Sequence, residues 1–267
     1  MEKIGIIAGN RKFPLLFSRA AKRKDCYIVA VAIKGDTSAK LKKLVDKIYW
    51  LGLDEFSRMF EIFKSEGITK IVMAGQISPR RLFSKEIERD PRLKELLSGI
   101  KDKRADTIFL AIAEELKKHG FELLDSTLFL EEFLPKKGVL TKKEPNFDVW
   151  EDVYFGFDLA KAVASLDVGQ AVAVKNKAIV AVEALEGTDR LIKRAGSITR
   201  GGITVVKVSK PKQDMRFDIP VVGLNTIKNL IKVKGSCLAF EAGRTLFIDK
   251  EASIRLAEKK NISIVAV

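Results

Sequence analysis

Histidine and cysteine are nearly absent from this chain, with one His (His119) and two Cys (Cys26 and Cys237) in 267 residues. A single histidine excludes His-rich metal centres and argues against a Ser-His-Asp or Cys-His relay. Two cysteines so far apart form neither a CxxC pair nor a zinc knuckle. Both have apolar neighbours and are read as reduced core residues. No apolar run approaches the ~20 residues that a membrane helix requires. The first ten residues hold a short apolar stretch cut off by Gly9-Asn10 and lack the h-region and cleavage site of a secretory leader. A soluble, cytoplasmic protein is expected.

Positive charge, by contrast, is plentiful. Lys and Arg number 49 against 35 Asp and Glu, a formal net charge of +14. That balance suits nucleic acid, phosphorylated metabolites or an acidic membrane surface. An ion-paired, solvated surface is the favoured explanation, so charge alone names no partner. A nucleic-acid-binding protein is one function class left open by charge, but no RRM, KH or helix-turn-helix signature accompanies it. The dinucleotide fingerprint GxGxxG and the Walker A motif are also missing, which removes support for NAD, FAD or a P-loop.

The first half alternates compact apolar runs with helical patterns. Runs at 4–8, 27–33, 46–51 and 70–74 read as buried strands, because apolar residues occupy successive positions instead of alternating ones. Between them, Pro14 opens one helix and Asp54 caps another that carries Phe56, Met59, Phe60 and Phe63. Phe13, Phe17, Phe56 and Phe60 are read as helix-to-sheet core in preference to an acyl groove. A helical pattern spans 92–118, and His119-Gly120 ends it, where an imidazole suits the helix dipole. Residues 133–147 are rich in Pro and Lys and read as a linker. Beyond it, 170–175 and 178–185 flank Asn176-Lys177 as a hairpin. A short helix ending near Gly196, strands near 203–208, 236–242 and 245–248, a helix over 250–260 and a closing strand follow. The expected fold is α/β with two domains: a Rossmann-like parallel sheet over 1–134 and a mixed-sheet α/β domain over 135–267.

Three segments have compositions that suit chemistry. Gly9-Asn10 and Gly75-Gln76 each end a strand where a parallel sheet presents N–H groups to a nucleotide or phosphate. The run from Glu183 through Thr188, Asp189 and Arg190 to Arg194 combines carboxylates for a hard cation with guanidinium groups for phosphate oxygens. A capped helix explains that run equally well. In 210–220, Asp214, Arg216 and Asp218 alternate, so an extended chain would place them on one face, with Met215, Phe217 and Ile219 on the other. Lys210 and Lys212 precede this face; a plain half-exposed strand with a cross-strand salt bridge is the alternative, and Pro211 and Pro220 favour an irregular, positioned segment over it. Two carboxylates beside a guanidinium suit phosphoryl chemistry, in which anions hold a metal or orient water and cations neutralise phosphoryl oxygens.

Taken together, Ile7-Ala8-Gly9-Asn10, Met73-Ala74-Gly75-Gln76, Asp167-Val168-Gly169-Gln170, the segment Ala181–Asp189 containing Glu183 and Glu186-Gly187-Thr188-Asp189, and Gln213–Pro220 resemble the UDP-2,3-diacylglucosamine pyrophosphatases of lipid A biosynthesis. The resemblance is to the branch without a metallophosphoesterase fold, and it runs from about residue 3 to the C-terminus. In the loop after Gln76, Ile77-Ser78-Pro79-Arg80 reverses the family's Arg-Pro order. The resemblance implies Mg2+-dependent hydrolysis of UDP-2,3-diacylglucosamine to UMP and 2,3-diacylglucosamine 1-phosphate, with hydrolysis of another sugar nucleotide on the same scaffold as the alternative. It also implies a homodimer; separately, basic side chains are expected to draw the protein into peripheral contact with the anionic inner-membrane surface. Its essential aspartate maps onto Asp214 or Asp218, and the choice between them stays open. On this basis Gly9, Asn10, Gly75 and Gln76 are expected to hold the uridine and part of the phosphates. The later domain is expected to supply Asp214 and Asp218 for metal and water, with Arg216, Lys210 and Arg194 against phosphoryl charge. Thr188 and Gln213 are further binding candidates, and Glu183 and Asp189 complete the expected metal shell.

Overall fold

The computed structural model describes all residues except Pro79, Arg80, Leu82, Phe83 and Lys103, and only the backbone of Ala105 and Asp106. The Pro79-Arg80 pair of the reversed loop therefore lies outside the described residues. Contacts divide the chain into two compact units. One comprises residues 1–131 and 214–218, the other 132–213 and 219–267. No helix among the described residues is long and apolar enough to cross a membrane.

The first unit is built on five strands: β1 (Lys3–Ala8), β2 (Tyr27–Ile33), β3 (Lys47–Leu51), β4 (Lys70–Ala74) and β5 (Glu122–Leu123). They lie in the order β3-β2-β1-β4-β5, every pairing parallel. Parallel neighbours require crossovers. Those that are helical here are α1 (Phe13–Lys22), α2 (Phe56–Ser65), α3 (Pro91–Ser98) and α4 (Ala105–Lys118). The pattern read over 92–118 is thus two helices, and the Asp90 side chain caps α3 by accepting from the Leu93 N–H at 3.0 Å. Val29, Val31, Ile71 and Met73 pack under Phe60 and Phe63 of α2 and Ile108 and Ile112 of α4. Phe13, Phe17 and Phe60 are buried and Phe56 packs against the core, so these rings form no open groove. His119 caps α4, with Nδ1 2.9 Å from the Glu115 carbonyl and its ring against Phe60.

In the second unit the segment read as a linker contributes a strand, β6 (Gly138–Val139), paired antiparallel with the chain's last strand. A 19-residue helix, α5 (Phe147–Ser165), follows and was not expected; Asn146 caps it by accepting from the Val149 N–H. The hairpin is β7 (Ala171–Lys175) and β8 (Ala178–Val182). Then come α6 (Thr188–Thr199), β9 (Thr204–Lys207), β10 (Val221–Val222), α7 (Leu224–Lys232), β11 (Cys237–Phe240), β12 (Leu246–Phe247), α8 (Lys250–Lys259) and β13 (Ser263–Ala266). Helix α6 runs past the expected end at Gly196 to Thr199, and α7 was also not expected. The six-stranded sheet has the order β6-β13-β11-β9-β7-β8, parallel within β9, β11 and β13 and antiparallel elsewhere.

Strand alternation separates two apolar faces. Ala171, Ala173, Val205, Leu238 and Phe240 pack with Leu191, Ile227 and Ala257 of α6, α7 and α8. Val172, Val174, Val206, Cys237 and Ala239 pack with Val153, Ala160 and Ala164 of α5. The unit is therefore three layers deep. Cys26 and Cys237 are both free and buried, and burial pushes both thiols up from their ordinary range.

Candidate functional site

In the first unit the strand order reverses between β1 and β4. Loops leaving adjacent parallel strands in opposite directions open a crevice at their carboxyl ends. Both glycine turns of the sequence lie there. The Gly9 N–H donates to the Ala74 carbonyl at 2.8 Å, and the Asn10 N–H to the Gln76 carbonyl at 2.7 Å. A Cβ on Gly9 would sit 2.4 Å from the Gln76 oxygen. Gly75 has φ +89°, and a Cβ there would sit 2.5 Å from the Asn10 oxygen. The two loops thus press backbone to backbone, and that contact alone demands both glycines. The Asn10 side chain bears differently on a ligand: its Oδ1 is buried without a hydrogen-bond partner among the described residues. A buried acceptor left without a donor carries a desolvation cost, and a ligand N–H would relieve it.

Residues 214–218 count with this first unit and not with the later domain to which the sequence assigned Asp214, Arg216 and Asp218. The Ser126 N–H donates to the Met215 carbonyl at 2.8 Å. Ser126 Oγ lies 2.6 Å from the carbonyl oxygens of both Met73 and Arg216. Because Met73 is near the end of β4, the segment is tied to the same carboxyl edge as the glycine loops. Phe217 anchors it, 4% exposed and 5.4 Å from the Phe109 ring, centroid to centroid.

The segment is irregular, as Pro211 and Pro220 suggest, and forms a tight turn in which the shared face of an extended chain is not formed. The Phe217 N–H donates to the Asp214 carbonyl at 3.3 Å, and Asp218 has φ +53°. Asp214 Oδ1 accepts from the Arg216 N–H at 3.0 Å, a side-chain-to-backbone turn typical of Asp. The Arg216 guanidinium then grips the same carboxylate, Nη2 to Oδ2 at 2.6 Å and Nε to Oδ1 at 2.9 Å. That hydrogen-bonded guanidinium holds the Asp214 carboxyl below its ordinary range, against the upward pull of burial. Asp214 is therefore an anion near neutral pH, suited to accept a proton or hold a cation and unsuited to donate a proton. Seven candidates thus share this unit: Gly9, Asn10, Gly75, Gln76, Asp214, Arg216 and Asp218.

The other six belong to the second unit. Glu183, just after β8, is buried and accepts from the Thr188 hydroxyl at 2.8 Å and the Gln170 N–H at 3.3 Å. Thr188 starts α6 and also accepts from Lys207 Nζ at 2.7 Å. Asp189 Oδ1 instead accepts from the Asn229 amide at 2.8 Å. Arg194 donates to the Val182 carbonyl at 2.8 Å and to Glu186 at 2.6 Å. Lys210 is buried and pairs with Asp167 at 2.5 Å. Gln213 Oε1 accepts from the Lys210 N–H at 3.0 Å, closing the turn before Asp214. Upstream, Glu241 accepts from the Ser209 N–H at 2.7 Å and pairs with Lys161 at 2.7 Å, fixing where that turn begins. Sequence reading did not foresee this Lys161–Ser209–Glu241 knot, whose members come from three separate segments.

Among the described residues, no group of three or more His, Cys, Asp or Glu side chains is placed to hold a metal ion. Glu183 and Asp189, expected to complete the metal shell of Asp214 and Asp218, face different partners. Mg2+ commonly binds through one or two carboxylates with substrate phosphate and water completing its shell. Asp214, ionised beside Arg216, is one carboxylate of the kind such an ion takes.

Comparison with known proteins covers the chain end to end. The model described as the LpxI N-terminal domain matches residues 3–133. The model described as the LpxI C-terminal domain matches residues 136–265. The UDP-2,3-diacylglucosamine pyrophosphatase LpxI of Caulobacter vibrioides is 28% identical over 278 aligned positions, covering all of this chain and 98% of that protein. Among solved structures, the biotin carboxylase subunit of pyruvate carboxylase matches at 15% identity and TM-score 0.29, over 75% of this chain and 41% of that one. The biotin carboxylase domain of a thermophilic 2-oxoglutarate carboxylase matches at 16% identity and TM-score 0.26, over 65% of this chain and 35% of its own. With both domain models matched in order from residue 3 to residue 265, the chain belongs to the LpxI family.

Proposed function

We propose that this chain hydrolyses the pyrophosphate bond of UDP-2,3-diacylglucosamine, releasing UMP and 2,3-diacylglucosamine 1-phosphate for lipid A synthesis. The observation that carries this reading is the full-length match to a relative of that named activity. The turn carrying Asp214 and Arg216, tied to the carboxyl edge of β4, is in keeping with it. The order β3-β2-β1-β4-β5 supports a Rossmann-like reading of the first unit, whose crevice would take the nucleotide. Asn10 Oδ1 would accept the imide N–H of uracil, relieving its buried, unpartnered state.

Asp214, held ionised by Arg216, would orient water for attack on a phosphorus, and the P–O–P bridge would break with departure of a phosphate monoester. Asp218 and Asp214 are the residues that would hold Mg2+. When bound, that ion neutralises phosphoryl oxygens and acidifies water. In the second unit, Thr188, Arg194, Lys210 and Gln213 are the proposed donors to phosphoryl oxygens, and Glu183 and Asp189 remain proposed acidic contributors. A cytoplasmic homodimer in peripheral contact with the inner membrane belongs to the same reading. The family resemblance supports the homodimer, and the +14 charge supports attraction to anionic headgroups.

The test is an assay of the purified protein with UDP-2,3-diacylglucosamine, in Mg2+ and again in EDTA. UMP and 2,3-diacylglucosamine 1-phosphate are expected only with the metal. Equal turnover in EDTA would remove the metal from the reading, and no turnover by folded protein in either buffer would remove the substrate.

A further inference from the structure

Arg216, Arg194 and Lys210, the cations expected against phosphoryl charge, each already have a carboxylate of their own unit. Arg216 pairs with Asp214 at 2.6 Å, Arg194 with Glu186 at 2.6 Å and Lys210 with Asp167 at 2.5 Å. Lys207, which no sequence motif singled out, differs. It ends β9 and is half-buried. Its Nζ donates to the Thr188 hydroxyl at 2.7 Å, and no carboxylate of the described residues forms an ion pair with it. The one hydroxyl proton of Thr188 is committed to Glu183 Oε1 at 2.8 Å, so only its lone pair is left to receive the ammonium. Glu183 is 7% exposed and steadied by the Gln170 N–H, which fixes the direction of the whole chain of bonds.

The geometry points to Lys207 as a binding residue for phosphoryl oxygens, held ready by the Glu183–Thr188 relay. An ammonium carries three N–H donors. One is taken by Thr188, and the described residues offer the other two no acceptor. The Glu183 carboxylate reaches this ammonium only through the Thr188 hydroxyl, so the half-buried cation keeps donors and charge to offer an anion. Phosphate oxygens suit lysine, which binds them as a compact point charge. The relay explains why a threonine follows Gly187: its methyl-bearing carbon allows few rotamers, and its hydroxyl bridges carboxylate to ammonium. The inference rests on the proposed reaction for the identity of the anion, a diphosphate.

The experiment compares wild type with Lys207→Met, similar in length but uncharged, and with Lys207→Arg, which keeps the charge. Binding of inorganic pyrophosphate and of UDP is measured by calorimetry, and turnover of UDP-2,3-diacylglucosamine is measured alongside. Loss of one hydrogen bond to a charged group predicts roughly tenfold to a hundredfold weaker pyrophosphate binding in Lys207→Met. UDP affinity should fall in parallel, and Lys207→Arg should recover at least part of both. Near-ultraviolet circular dichroism is expected to match wild type, which removes misfolding as the cause. Pyrophosphate affinity equal to wild type in Lys207→Met, or no pyrophosphate binding by the wild type, would overturn the assignment. Wild type inactive on the lipid substrate, yet binding pyrophosphate in a Lys207-dependent way, would sink the proposed reaction and leave the anion site standing.

Discussion

Replacing Asp214 by asparagine and, separately, by alanine distinguishes the geometry of its turn from its charge. Asparagine keeps an oxygen for the Arg216 N–H, now 3.0 Å from Oδ1, so the turn persists. It loses the pair with Arg216, whose side chain is 42% exposed. Exposed ion pairs contribute about 0–1 kcal/mol. For a chain of this size about 1 kcal/mol moves Tm by roughly 2–4 °C, so Asp214→Asn should cost at most about 4 °C. Alanine also removes the turn's acceptor, a loss comparable to deleting a helix cap at about 0.5–2 kcal/mol. It should therefore melt several degrees lower than the asparagine variant. Turnover should not follow that order. Both variants lack the anion, and loss of one aligned electrostatic contact costs roughly 10²–10³ in kcat. Steady-state release of UMP, with melting followed by circular dichroism, gives both readings. An asparagine variant that melts like wild type and keeps more than a tenth of its kcat would refute a charged role for Asp214.

Two further predictions concern stability. Asn176 and Lys177 both have left-handed backbones, with φ of +52° and +57°, in the two-residue turn between β7 and β8. Glycine adopts that conformation without strain, and the Lys177 N–H bond to Asp152 would survive the change. Lys177→Gly should therefore raise Tm by roughly 2–4 °C for about 1 kcal/mol, and a fall would show that the exposed Lys177–Glu151 pair matters more than the strain. Glu55 is held at a pKa of about 2 by Lys34, by the Gly52 N–H and by Arg58. Its contribution is present above the unfolded pKa near 4.5 and fades as pH falls toward about 2. Glu55→Gln should thus melt below wild type at pH 7 and converge with it near pH 2, and a gap that is constant with pH would contradict this.

The parallel sheet of the first unit was legible because strands buried on both faces show as short unbroken apolar runs. Gly9 and Gly75 marked its switch point because two loops in backbone contact tolerate only glycine there. Helix α5 was not legible. Its outer face exposes Phe147, Tyr154 and Phe155, so no clean apolar stripe separates from a polar one. Its middle carries Gly156, a residue that argues against a helix in sequence. In the fold a Cβ there would meet Val206 at 2.7 Å, so the glycine is what lets the helix lie close on the sheet. The alternation of Asp214, Arg216 and Asp218 suggested an extended face. The Asp214 side chain competed for the backbone and bent the segment into a turn, a preference that alternation counts do not register. Lys207 was invisible for another reason: it ends β9, and only folding brings it to the Glu183–Thr188 pair.

Five residues give the chain an unusual modular logic. Residues 214–218 are encoded deep inside the segment that matches the C-terminal domain model, yet they complete the first unit, supplying Phe217 to its core. The polypeptide thus passes between units three times, at 131/132, 213/214 and 218/219. A gene fragment cut at the apparent boundary near residue 133 would encode a first unit with Phe109 stripped of its partner ring. Ser126 would lose the Met215 carbonyl its N–H now serves. Exchange of either half between relatives by recombination at that boundary would transplant the Asp214 turn away from the surface that shapes it. The two halves are therefore expected to be inherited as one piece, with substitutions around Phe109, Ser126 and Phe217 constrained together although Phe217 lies about a hundred residues beyond the other two.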